Sequence, residues 1–155
     1  MRLKRLEWTY KDCPVCYLTL VAYARKPLFA NKFVHAAFIK FGETALHHSV
    51  TVGRYVLMPD HIHLFAQFAP DSVNLSGWVK SLKNALSKRL RLNSVSAPHW
   101  QKGFFDHILR SSGSYEEKWE YVRQNPVRAG LVQRTEEWEF QGKIYPLEFT
   151  TEDGS

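Results

Sequence analysis

The chain has 155 residues, of which 45% are hydrophobic and 14% aromatic, which suits one compact domain. That composition excludes a disordered chain, a collagen-like repeat and a disulfide-dense scaffold. A balance of 21 Lys and Arg against 15 Asp and Glu, net +6, favours a polyanionic partner. No apolar run approaches the roughly 20 residues needed to span a bilayer. The charged N-terminal stretch MRLKRLEWTYKD leads into no apolar segment, so it does not read as a secretory signal. Two cysteines fit a reducing compartment, and the expectation is a cytoplasmic protein without a membrane partner.

Residues 15–23 are rich in β-branched and aromatic side chains and predict a buried strand. Across 31–47, Phe33, Ala37, Phe38, Phe41 and Ala45 recur at helical spacing, with Asn31 as the cap. A strand over 50–58, a tight turn at Pro59-Asp60 and a strand over 61–68 make a hairpin. Asp71-Ser72 then opens a helix over 73–92 whose apolar stripe is Leu75, Trp78, Val79, Leu82, Leu86 and Leu90. At about 100° per residue, Lys80, Lys83, Lys88 and Arg91 fall on the opposite side. A short strand is expected over 104–109, and Ser114 with Glu117 has the capping-box spacing that starts a third helix. This order predicts an α+β fold: a ferredoxin-like, four-stranded antiparallel sheet with three main helices packed on it. A single domain is expected over 1–155, with its core at about 10–138 and a tail at 139–155.

The sharpest chemical signal is His61-Ile62-His63. Residues two apart in a strand share a face, which sets the two imidazoles side by side with Cα atoms about 7 Å apart. Such a pair supplies most of a metal site; the plainer reading is two histidines on a half-exposed sheet. On the third helix Tyr115, Trp119, Val122 and Pro126 share the core stripe, and Tyr115 reads as a core aromatic. Tyr121 lies about 120° away, with Asn125 at i+4 on its side. A residue before proline is pushed out of helical geometry, so the Asn125 pairing depends on the helix running through. Cys13-Pro-Val-Cys16 leads into a strand instead of a helix start and has no second ligand pair, so Cys16 reads as a small core residue. Asp60 either orients a neighbouring histidine or caps the turn, and the turn role is preferred. Charge is segregated: seven basic residues stand between Lys80 and Arg110 against Asp106 alone, which suggests a binding face.

Three stretches together resemble a known group. YVLMPDHIHLF at 55–65 resembles the signature strand pair of single-tyrosine HUH transposases. WQKGFFDHILR at 100–110 and YVRQNPVRAGLV at 121–132 look like the REP-associated tyrosine transposases within that group. CYLTL at 16–20, with Arg25 and Phe29, is similar as well. The resemblance implies the HUH endonuclease fold, His61 and His63 as ligands of a divalent metal, and Tyr121 as the nucleophile. Asn125 takes the place of a helix-borne third ligand, with Gln124 as a weaker candidate. It further implies attack on single-stranded DNA, leaving a 5′-phosphotyrosine and a free 3′-OH, with Mg²⁺ or Mn²⁺. Histidine and carboxamide ligands suit Mn²⁺ better than Mg²⁺.

The expected partner is a DNA hairpin with a single-stranded flank, bound by a monomer or weak dimer. Lys80, Lys83, Lys88 and Arg91 are expected on DNA backbone, Arg110 and Arg128 also on DNA and Trp100 under an unpaired base, while Phe104 reads as core. Two other readings stand beside this one. A hairpin-binding protein that no longer cleaves is disfavoured by intact His61, His63 and Tyr121. A metal hydrolase of a small phosphorylated substrate leaves the basic stripe of the second helix without a purpose.

Overall fold

The computed structural model describes residues 13–147 and 149. The charged N-terminal stretch and the end of the expected tail lie outside the described residues. The strands are β1 (Val15–Val21), β2 (Val50–Leu57), β3 (His61–Phe68), β4 (Phe105–Leu109) and β5 (Gln141–Lys143). They form one antiparallel sheet in the order β4-β1-β3-β2-β5. The first four strands have the expected ferredoxin-like arrangement. The fifth corrects the strand count: part of the expected tail pairs on the outer edge of β2, from Arg54 opposite Lys143 to Val56 opposite Gln141. Its three residues, Gln-Gly-Lys, are too short and too polar to carry strand periodicity.

Helix α1 (Lys32–Ala45) starts where Asn31 accepts the Val34 N–H at 2.9 Å. Helix α2 (Leu75–Leu92) begins later than Asp71-Ser72 suggests, because Asn74 is its cap and accepts the Gly77 N–H at 2.7 Å. Helix α3 (Ser112–Arg123) begins earlier than the Ser114–Glu117 spacing suggests, since Ser111 accepts the Ser114 N–H at 3.1 Å. It stops before Asn125-Pro126, and a single turn, α4 (Asn125–Arg128), follows.

Alternation along the strands sends side chains to two different layers. Ile62, Leu64 and Ala66 of β3 pack with Leu18 and Leu20 of β1 against α1 and α2, where Phe38, Trp78, Leu82, Leu86 and Leu90 are buried. On the other face Phe65, Val15, Val56, Met58 and Leu109 pack against Tyr115 and Val122 of α3. The sheet is therefore covered on both faces, and each buried leucine contributes about 1.5–3 kcal/mol through removal from water. His61 and His63 share the α3 face with Phe65.

Candidate active site

The pairing register fixes what surrounds each histidine. Thr19 stands opposite His63 and Val21 opposite His61. The two imidazole centroids are 4.7 Å apart, nearly perpendicular at 83°. His63 is 8% exposed, and its Nδ1 lies 2.8 Å from the Tyr17 hydroxyl and 3.1 Å from that of Thr19. Burial above all, then the nearby charges of His61, Arg128 and Lys118, pushes the His63 pKa down to about 3. It is a neutral imidazole across the physiological range, which is the form that binds metals.

His61 Nδ1–H donates to Asp60 Oδ1 at 2.8 Å, and Arg25 Nε donates to Asp60 Oδ2 at the same distance. Asp60 thus does what the turn reading had placed second: it orients a histidine. Burial works against its carboxylate, but the hydrogen bond from His61 and the charges of His61 and Arg25 outweigh that and hold its pKa below the ordinary value. Arg25 reaches it from a left-handed backbone, with φ of 53° at Ala24 and 54° at Arg25. Such conformations cost of order 1 kcal/mol or more at non-glycine residues and mark segments that the surroundings over-determine. With both Nδ1 atoms engaged, the two Nε2 atoms remain for a ligand. A carboxylate–histidine pair of this kind is the usual support of a metal-binding imidazole.

Tyr121 stands at the far end of α3, 62% exposed. The Arg128 guanidinium lies over its ring at 4.0 Å and donates to its backbone oxygen at 2.8 Å. Tyr17 lies on the histidine side of this face. It is bonded to His63, and its phenol, pushed up mainly by burial, also feels the charges of Tyr121 and Arg128. Asn125 Oδ1 accepts from Arg128, and Gln124 donates to Glu120 at 3.2 Å, so both expected third ligands have partners on their own helices. No group of three or more His, Cys, Asp or Glu side chains is placed to hold a metal ion among the described residues.

The residues expected on DNA separate into two groups. Lys80, Lys88 and Arg91 are exposed on the outer side of α2, and Arg110 is exposed just past β4. The α2 stripe lies across the sheet from the histidines, because the inner side of α2 packs on the Ile62 face. Lys83 and Trp100 have partners within the fold. Lys83 donates to the Gln101 and Gly103 carbonyls at 3.3 and 2.7 Å and sits over the Trp100 ring, so it fastens a loop. Trp100 stacks on Phe29 at 4.8 Å and donates its indole N–H to Ser87 at 2.9 Å, which ties it to the fold. Phe104 packs against the core as expected. Burial first, then the charge of Asp106, raises the Cys16 pKa to about 11, which makes it an unreactive thiol packed against the core. Sequence reasoning missed Tyr17, Thr19 and Lys118, whose Nζ lies 5.2 Å over the Tyr17 ring. Alternating polar residues on β1 were the available signal, but their partner emerges only from the register.

Residues 15–125 match the family model described as Transposase IS200 like, and the chain belongs to that family of DNA-processing enzymes. Within it, the chain is similar to REP-associated tyrosine transposases. It is 22% identical over 147 residues to a Haemophilus influenzae protein that carries this name provisionally, covering 84% of each chain. To the REP-associated tyrosine transposase of Escherichia coli (strain K12) it is 24% identical over 89 residues, covering 57% of this chain and 52% of that one. The fold agrees with a REP-associated tyrosine transposase solved bound to a REP hairpin. The TM-score is 0.67 at 20% identity, over 83% of this chain and 75% of that one. No helix among the described residues is long and apolar enough to cross a membrane.

Proposed function

We propose that the chain is a metal-dependent single-strand DNA endonuclease and strand transferase acting beside DNA hairpins. The observation that carries this reading is the pair His61–His63, each with Nδ1 engaged and Nε2 without a hydrogen bond among the described residues, on the sheet face against which α3, the helix of Tyr121, packs. Tyr121 Oη attacks the scissile phosphorus while the bond to the 3′-oxygen breaks. The 5′-phosphate remains on the tyrosine and the 3′-oxygen, after taking up a proton, is a free hydroxyl. The reverse attack by a 3′-OH rejoins a strand and regenerates Tyr121, so the bond energy is conserved.

The donor set fits a divalent ion, Mg²⁺ or Mn²⁺, which bound at the two Nε2 atoms would polarise the phosphate and offset charge in the transition state. In this reading Asn125 Oδ1 is the third donor, although Arg128 engages that atom here. Asp60 holds His61 in the ligating tautomer, and Tyr17 with Thr19 does so for His63. Arg128, lying over the Tyr121 ring, restricts where that ring can turn. A DNA stem held through its phosphates by Lys80, Lys88 and Arg91 reaches the histidine face around an edge of the sheet.

The experiment is a cleavage assay with Mn²⁺ on a hairpin oligonucleotide carrying a single-stranded flank. A denaturation-resistant protein–DNA adduct forms with the wild type and not with Tyr121→Phe, which still binds the DNA. An adduct that persists in Tyr121→Phe, or that maps to Tyr115, overturns the assignment.

A further inference from the structure

We infer that Phe105 is a stacking platform for an unpaired nucleobase of the strand being processed, a reading that rests on the proposed function. Phe105 stands directly opposite Thr19 in the β1–β4 pairing. Directly opposed residues of an antiparallel pair project to the same face. Thr19 bonds to His63, so Phe105 belongs to the histidine face. It is two strands from His63, about 10 Å at the usual strand spacing.

That position is open. Phe105 is 63% exposed, on a strand that forms one edge of the sheet. No ring or cation packs on it among the described residues, whereas Trp100 and Phe104 of the same segment are committed to the core. An exposed phenylalanine on an edge strand is an association hazard unless something covers it.

The charge around it selects the occupant. Lys102, just before β4, is exposed, and Lys118 sits over Tyr17 in the neighbouring row. Asp106, opposite Leu18, belongs to the other face. Lys83 ties α2 to the loop that enters β4. An exposed aromatic ring beside basic side chains is the arrangement that binds single-stranded DNA: phosphates meet the cations and a base stacks on the ring, whatever its identity.

The probes are two oligonucleotides, a hairpin with a single-stranded flank carrying 2-aminopurine and the same hairpin without a flank, titrated against the full chain. Phe105→Ala is expected to weaken binding of the flanked hairpin about tenfold, in the range for one stacked base. It leaves binding of the unflanked hairpin and thermal melting unchanged. Phe105→Trp retains affinity and 2-aminopurine quenching, while Phe105→Leu loses the quenching. Unchanged flanked binding in Phe105→Ala overturns the platform and leaves the proposed function standing, as does an equal loss on both DNAs. A wild type that binds neither DNA overturns both.

Discussion

On the face that α1 and α2 cover, Ile62, Leu64 and Ala66 of β3 are fully buried among leucines and aromatics. On the opposite face the same strand alternates His61, His63, Phe65 and Gln67, and α3 packs against only part of it. Phe65 lies under Tyr115, at a ring distance of 4.9 Å, and behaves as core. Two residues away, His63 is almost as enclosed, yet its neighbours are hydroxyls and cations. One face is held by apolar contact that any well-shaped hydrophobic set could supply. The other holds polar atoms in particular places, and each buried one needs its partner. Local departures from the hydrophobic pattern gather where the chemistry is.

The largest effect expected from this contrast is on stability. Leu64→Ala, on the covered face, should cost about 2–5 kcal/mol in denaturant unfolding, through lost transfer energy and a residual cavity. A loss under about 1 kcal/mol would mean that α1 and α2 close over the gap readily.

His63→Ala sharpens the comparison. It leaves the Tyr17 and Thr19 hydroxyls without their shared partner, so a destabilisation of about 1–3 kcal/mol is expected, together with loss of Mn²⁺ binding in calorimetric titration. His61→Ala, whose partner Asp60 keeps Arg25, should lose Mn²⁺ binding with a smaller change in melting. Equal melting of the two variants would show that the burial of His63 has no energetic consequence.

The smallest effect concerns the α2 stripe. Replacing Lys80, Lys88 and Arg91 together should flatten the dependence of log affinity on log salt by about 3 units, at roughly 0.9 per duplex phosphate contact. The yield of covalent adduct at saturating DNA should stay the same, because these residues lie across the sheet from Tyr121. An unchanged slope would make the stripe an ordinary solvated helix face.

Much of this architecture is legible in the order of residues, since periodicity is a local property. Alternation marks the hairpin around Pro59-Asp60, and a 3.6-residue repeat marks α2 from Leu75 to Leu90. The same periodicities place His61 and His63 on one face and set Tyr121 off the core stripe of α3. Cap positions were less secure, because Ser, Asp and Asn crowd each helix start and only one of them reaches the free N–H groups. Asn74 and Ser111 won those places.

What tertiary structure alone decided is which distant residues meet. Tyr17 is 46 residues from His63, and the pairing of β1 with β3 is what brings its hydroxyl to the imidazole. Trp100 and Lys83 have the composition of a DNA surface, but packing of the loop onto Ser87 and Phe29 commits them to the fold. Phe105, one residue beyond the half-buried Phe104 that packs on the core, is left exposed because consecutive residues of an extended chain face opposite ways. Residue type and spacing determine what each side chain is able to do; register and packing determine which partner it finds and whether it stays free to act, because those depend on contacts between segments that sequence order does not encode.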